Sequence, residues 1–198
     1  MRILHISDTH GRHAELENLP NADIIIHSGD FTMAGTEQEA TDFMNWFCDL
    51  PYSHKIFIAG NHDDCFYNAR ISGLDSNCYY LCNSSVVIEG IRFYGVPLFM
   101  QDSLNNNQRI LYDNIPDDTD VLITHAPPFG ILDLAHNIHF GSEDLLIKVS
   151  DISPMLHLFG HIHDSFGIRH HHNTKFSNGS ISDKTYNKIR SEFGVIET

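Results

Sequence analysis

Short apolar runs recur along the chain, separated by polar or helix-patterned stretches. The first is Arg2–Ser7, followed by a polar segment with room for a short helix around Ala14–Asn18. The second, Asp23–Ser28, places Ile24, Ile25 and Ile26 in succession. It is apolar on both faces, which predicts a strand in a sheet covered by helices on each side. Thr36-Glu37-Gln38-Glu39 has the form of a capping box, with Thr36 as N-cap and Glu39 reaching back. Ala40, Phe43, Met44 and Phe47 then share one helical face, and Leu50-Pro51 closes the helix. A third strand, Lys55–Ala59, delivers the chain into Gly60-Asn61-His62.

In the second half, Tyr79–Leu81, Ser85–Glu89 and Ile91–Val96 predict antiparallel strands, the last two joined by a tight turn at Glu89-Gly90. Leu104–Asn114 predicts a polar helix, and Asp102 to Asn107 has the polarity of a solvated loop. Asp120–Thr124 is a strand ending at His125, and Ser142 is the N-cap of a helix running through Val149. Met155–Phe159 is a strand leading into Gly160-His161. Two final strands, Phe166–Arg169 and Thr174–Ser177, flank a turn at His170–Asn173. No repeat, low-complexity linker or composition break divides the 198 residues, so one domain over 1–198 is expected. A chain of this length buries about 70% of its unfolded surface.

The chemistry sits where the strand-like runs end. Asp8-Thr9-His10, Gly29-Asp30, Gly60-Asn61-His62-Asp63, Thr124-His125 and Gly160-His161-Ile162-His163 follow one another in that order. Together they offer three carboxylates, one amide oxygen and five imidazoles, enough to supply a ligand set for two adjacent divalent cations that activate water against phosphate esters. Asp8 and His10 are two apart, as are His161 and His163, so on extended strands each pair would point to one face. Asp30, with two carboxylate oxygens, could bridge cations about 3.5–4 Å apart. The set contains no thiolate, which suits manganese, iron, zinc, cobalt or nickel rather than a structural cysteine–zinc site.

Composition narrows the substrate. A formal net charge of −14 supplies no basic face for general nucleic-acid binding. A small phosphorylated substrate remains compatible, because bound dications reverse the local field. No apolar run is long enough for a membrane span. The N-terminus enters a strand pattern at once, leaving no room for a signal peptide, so a cytoplasmic location is expected. Cys48, Cys65, Cys78 and Cys82 lack zinc-ribbon spacing and read as free thiols.

These motifs resemble those of the calcineurin-like metallophosphoesterase superfamily. The strings Ser7-Asp8-Thr9-His10, Gly29-Asp30-Phe31-Thr32, Tyr94-Gly95-Val96-Pro97, Thr124-His125-Ala126-Pro127-Pro128 and Phe159-Gly160-His161-Ile162-His163 are similar, more narrowly, to its metallophosphoesterase-domain-containing (MPPED) branch. The resemblance implies an α/β (α+β) fold, a β-sandwich flanked by helices. It implies one metal held by Asp8, His10, Asp30 and His163, and a second held by Asp30, Asn61, His125 and His161. It gives His62 a place at the phosphate, as acid or charge stabiliser, and Asp63 the orientation of His62 or a ligand. Some branch members carry Gly where this chain has His161, and the retained histidine implies an intact second site. The implied activity is hydrolysis of small phosphodiesters, cyclic nucleotides included, by attack of a hydroxide bridging the metals. Phosphomonoester or phosphoprotein hydrolysis is an alternative, as is a non-catalytic scaffold on the same fold.

Outside the motifs, His5, His13, His27, His54, His136, His139 and His157 read as hydrogen-bonded core or surface residues. His170-His171-His172 reads as an exposed turn, and Cys78 and Cys82 as inert thiols. Arg12 follows the first motif closely and is either a bidentate donor to a substrate phosphate or a surface arginine. Phe66 and Tyr67 are expected to pack against the body of the protein, with stacking on a nucleobase as the alternative.

Overall fold

Two β-sheets packed face to face carry the chain in this computed structural model, which describes residues 1–186 and 188–197. In chain order, β1 (Arg2–Ile6) and β2 (Ile24–His27) precede helix α1 (Glu37–Asp49), followed by β3 (His54–Phe57), β4 (Cys78–Tyr80), β5 (Ser84–Ile88) and β6 (Ile91–Val96). Helices α2 (Met100–Leu104) and α3 (Gln108–Asp113) lead to β7 (Val121–Thr124) and the short strands β8 (Leu134–Ala135) and β9 (Ile138–His139). Helix α4 (Glu143–Ile152) then precedes β10 (Leu156–Phe159), β11 (Gly167–His171), β12 (Thr174–Asn178) and β13 (Gly194–Glu197). One sheet has the order β13-β1-β2-β3-β4, the other β11-β12-β10-β7-β6-β5, and β8 and β9 form a separate hairpin.

The isoleucine run of β2 shows why the sandwich forms. Ile24 and Ile26 face inward with Ile3, Ile56 and Ile58, against Phe93, Val121, Ile123, Leu156 and Leu158 of the opposite sheet. Ile25 faces outward with Leu4 and Phe57, against Ala40, Phe43 and Phe47 of α1. Both faces are buried, but one is covered by the second sheet and only the other by a helix, which corrects the expectation of helices on each side. The second sheet repeats the arrangement: Leu122, Phe159 and Phe176 pack outward on Leu145 and Val149 of α4. Phe43 stacks on Phe31 at 4.2 Å and is fully buried, so its truncation to Ala would cost about 3–5 kcal/mol.

Helix α1 forms as its capping box requires. Thr36 Oγ1 accepts the Glu39 N–H at 3.2 Å, while Glu39 Oε2 accepts the Thr36 N–H at 3.1 Å. Elsewhere the sequence pattern misleads. Cys78–Tyr80 pairs parallel with β3 in the first sheet, whereas β5 and β6 are an antiparallel pair in the second. Of the predicted helix Leu104–Asn114 only the second part is helical, as α3; α2 ends at Leu104, and between the two Asn106 takes a left-handed backbone, φ +54°. His170 and His171 belong to β11, and only His172 and Asn173 form the turn. The two-residue strands of the hairpin β8–β9 are too short to announce themselves, and the edge strand β13, antiparallel to β1, is a further addition to the predicted set. Cys78 Sγ lies 2.9 Å from Cys48 Sγ, not beside Cys82, and all four cysteines are free.

Candidate metal centre

Strands β1, β2 and β3 run parallel to one another, as do β6, β7, β10 and β12. The predicted ligands lie just past the C-terminal ends of these strands, where loops from both sheets converge. A bridge between Ser7 and Ser180 ties the two sheets together at that edge. The backbone there is not extended. Asp8 (φ +57°), His10 (+46°), Asp30 (+58°) and His161 (+69°) are all left-handed. Such non-glycine conformations cost roughly 1–3 kcal/mol each and persist only where surrounding structure enforces them. The i, i+2 spacings therefore converge through loop geometry, not through one face of a strand. Indeed His161 and His163 serve different clusters.

The first cluster is Asp8, His10 and His163, and the second is Asp30, His125 and His161; within each, the ligand atoms lie within 4.8 Å of one another. In the first, His10 Nε2 and His163 Nε2 face each other at 3.3 Å, and His163 Nε2 is 3.4 Å from Asp8 Oδ1. In the second, His125 Nε2 is 3.2 Å from Asp30 Oδ2 and 3.1 Å from Asn61 Oδ1. Asp30 joins them through a single oxygen. Oδ2 also lies 3.9 Å from His10 Nε2, whereas Oδ1 accepts the His62 N–H at 2.8 Å. The sequence reading gave the bridge to both oxygens; the structure commits one of them to the backbone.

This donor set fits a pair of divalent cations. His125 Nδ1–H donates to the Ser28 carbonyl at 2.9 Å and His163 Nδ1–H to the Asp183 carbonyl at 3.1 Å, which leaves Nε2 of each ring as the atom directed into the clusters and available to a cation once it is deprotonated. Five buried nitrogen and oxygen donors without a thiolate match the borderline metals expected from sequence.

Electrostatics agree with that use. Burial opposes charge on Asp8, but His163, His125 and His10 outweigh it and hold the carboxyl well below its usual range. Burial also opposes charge on His125, yet Asp30 and Asp8 push its pKa up to about 9. His161 is pushed down to about 4, by burial and then by the His125 charge, and so presents a neutral imidazole.

Asp63 does not face the clusters. Its Oδ2 accepts the N–H groups of Gly60 and Asp30, each at 2.8 Å, and its Oδ1 accepts the Thr32 N–H at 2.9 Å and hydroxyl at 2.8 Å. It therefore clamps the loop carrying Asn61 and His62 onto the loop carrying Asp30. Burial and the Asp30 charge push its pKa up to about 7, against these donors. Close approach explains two glycines: a Cβ on Gly60 would run into the Asp30 carboxylate, and one on Gly160 into Ser7 Oγ and the Asp8 carboxylate.

His62 Nδ1–H donates to the Met33 carbonyl at 2.9 Å, so Nε2 is the nitrogen left for the site. Its ring stands edge-on to His10, centroids 4.8 Å apart. Arg12 is occupied: Nε and Nη2 donate to Glu15 at 2.8 and 2.7 Å, and Nη1 donates to the Tyr186 carbonyl at 2.9 Å. Its guanidinium thus holds the segment that brings Tyr186 to the site.

Sequence reasoning missed that segment. Ser180 Oγ donates to Asp8 Oδ2 at 2.7 Å, Ser182 Oγ to the Asp8 carbonyl at 2.6 Å, and Tyr186 packs edge-on to His10 and His163. The available signal was Asn178-Gly179-Ser180, a glycine at a strand end like those before Asn61 and His161. Of the remaining histidines, His5 bonds Ser177 and Ser28, His27 bonds Thr9, and His157 bonds Thr124, all within the core.

Comparison with known proteins places this centre. A profile described as calcineurin-like phosphoesterase matches residues 1–165. Metallophosphoesterase domain-containing protein 1 of Homo sapiens is 34% identical, over 95% of this chain and 68% of that protein. A UPF0046 protein of Caenorhabditis elegans is also 34% identical, over 99% of this chain and 79% of its own length. The fold is similar to that of TT1561 from Thermus thermophilus, with TM-score 0.61 and 14% identity over 89% and 88% of the two chains. It is equally similar to GAP50 of Plasmodium, with TM-score 0.61 and 11% identity over 98% and 76%. The chain belongs to the calcineurin-like phosphoesterase family of metal-dependent phosphoester hydrolases, in its metallophosphoesterase-domain-containing branch.

Proposed function

We propose that the protein is a two-metal phosphodiesterase acting on small phosphodiesters, cyclic nucleotides among them. The observation that carries this reading is Asp30 Oδ2, which faces His125 Nε2 on one side and His10 Nε2 on the other. Bound there, two divalent metals would polarise the phosphoryl oxygens and lower the pKa of water. Asp8, His10, Asp30 and His163 would hold one metal, and Asp30, Asn61, His125 and His161 the other. Asp8 and Asp30 offset only part of the charge of two dications, and neutral Asn61 adds none, so the centre attracts an anion. As the imidazolium, with Nδ1–H held by the Met33 carbonyl, His62 would present Nε2–H to the departing alkoxide and give it that proton.

The state of Arg12 favours a diester over a monoester. A dianionic monoester calls for additional cationic donors, and this guanidinium is committed to Glu15 and Tyr186. Manganese is the first metal to test, and the cytoplasm is the compartment that suits four free thiols.

The test is hydrolysis of bis-p-nitrophenyl phosphate against p-nitrophenyl phosphate, after chelation and manganese addition. Faster diester cleavage restored by metal supports the proposal, and faster monoester cleavage replaces it with a phosphatase. His62→Ala should lower turnover about 10²–10⁴-fold while keeping fold and metal. A scaffold would show no turnover to lose.

A further inference from the structure

A pocket of about 290 Å³ opens beside the metal centre, with His161 and His163 in its wall. An ester held at the clusters therefore borders this pocket. The larger cavity between residues 12–20 and 188–193, about 810 Å³, contains none of the cluster residues and does not border such an ester.

Two aromatic rings front the smaller pocket, Phe140 at 53% exposed and Tyr186 at 39%. Tyr186 continues the first cluster directly, its ring 4.7 Å from that of His10 and 5.1 Å from that of His163. Phe140 stands on a fixed support. Its N–H donates to the Asp133 carbonyl at 3.1 Å, and the buried Asp133 carboxylate takes Gly130 N–H, Gly141 N–H and the His139 ring at 2.7–2.9 Å. Ser165 Oγ pins the adjoining hairpin through both the N–H and the carbonyl of Leu134. Tyr186 is held by its carbonyl to Arg12. Solvent-facing aromatic rings carried on a hydrogen-bonded backbone at a reactive centre are stacking surfaces for planar groups. Lys184 and His136 add polar groups to the same wall.

Resting on the phosphoester reading of the centre, we propose that this pocket is the subsite for one organic arm of the ester. It takes a planar aromatic group stacked on Phe140 and Tyr186. The Lys184 and His136 edge favours a ring carrying hydrogen-bond acceptors, as nucleobases do, over a plain phenyl ring.

Binding and turnover are measured separately. On the metal-loaded protein, ligand-observed NMR compares phenylphosphonate with methylphosphonate. Phenylphosphonate should bind about tenfold more tightly. Phe140→Ala should bring the ratio near one, and Phe140→Tyr should restore it. Equal affinity, no binding of either, or a ratio indifferent to Phe140→Ala overturns the subsite. In parallel, thymidine 5′-p-nitrophenyl phosphate is compared with methyl p-nitrophenyl phosphate, two diesters with the same leaving group. The nucleoside ester should have the lower KM, more so than phenyl p-nitrophenyl phosphate, and Phe140→Ala should erase the difference. Intact phosphonate selectivity without turnover would keep the subsite and remove the hydrolase. Turnover of all three esters with equal KM, unaffected by Phe140→Ala, would keep the hydrolase and remove the subsite.

Discussion

The carboxylate of Asp63 accepts the backbone N–H of Asp30 at 2.8 Å, so a residue that belongs to neither cluster sets the position of the carboxylate that joins them. Both Asp63 oxygens are filled by donors, from Gly60, Asp30 and Thr32. Asp63→Asn keeps the volume but turns an NH₂ group towards other N–H groups. The expected loss is about 2–4 kcal/mol of stability. Metal affinity should fall 10–100-fold. Thermal melting with and without metal, together with a metal titration, checks both; wild-type affinity in the variant would remove the clamp.

Three core histidines make the metal-free protein acid-labile. Burial pushes His5, His27 and His157 down to about 3, so each stays neutral when folded but takes up a proton near pH 6.5 when unfolded. Their contribution is fully present above about pH 6.5 and is lost as pH falls towards 3. Each adds a slope of about 1.4 kcal/mol per pH unit in that window, and the three together roughly 4. Melting temperatures from pH 7 to 4.5 should drop steeply, less so in His157→Gln, which can still bond Thr124. A flat profile would contradict neutral burial.

Metal binding should release a proton. In the metal-free protein His125 is pushed up to about 9, so near pH 7.5 its Nε2 carries a proton that a cation must displace. Apparent affinity at the second cluster should rise with pH until about 9. Calorimetry in PIPES and in Tris, buffers of different ionisation heat, should give heats that differ by about one proton per ion at that cluster. Identical heats would mean that Nε2 is already free.

Gly60 and Gly160 should not tolerate even a methyl group. Gly60→Ala intrudes on the Asp30 carboxylate and Gly160→Ala on that of Asp8. Each should lose metal binding more than tenfold, with a smaller effect on the metal-free melting temperature; unchanged metal binding would show that the loops can yield.

Much of this was legible in the sequence, for local reasons. The capping box of Thr36 and Glu39 and the spacing of Ala40, Phe43 and Phe47 are short-range patterns, and the helix follows them. The residues of the clusters were legible because their types and order are distinctive. Their geometry was not. Asp8 and His10 converge because each takes a left-handed backbone enforced by tertiary contacts, which no alternation rule contains. The apolar runs signalled burial on both faces but not what covers each face, nor that β4, expected to be antiparallel, pairs parallel with β3. Ser180, Ser182 and Tyr186 escaped notice because they reach the site through tertiary placement, and neither serine nor tyrosine marks a ligand set of this kind.

Metal stoichiometry tests the shared centre most directly. After chelation, reloading with manganese and desalting, the wild-type protein should retain two ions per chain by elemental analysis. His161→Gly should retain one, and Asp30→Ala should retain neither firmly. A single ion per chain in the wild type, unaltered by His161→Gly, would contradict two metals joined through Asp30.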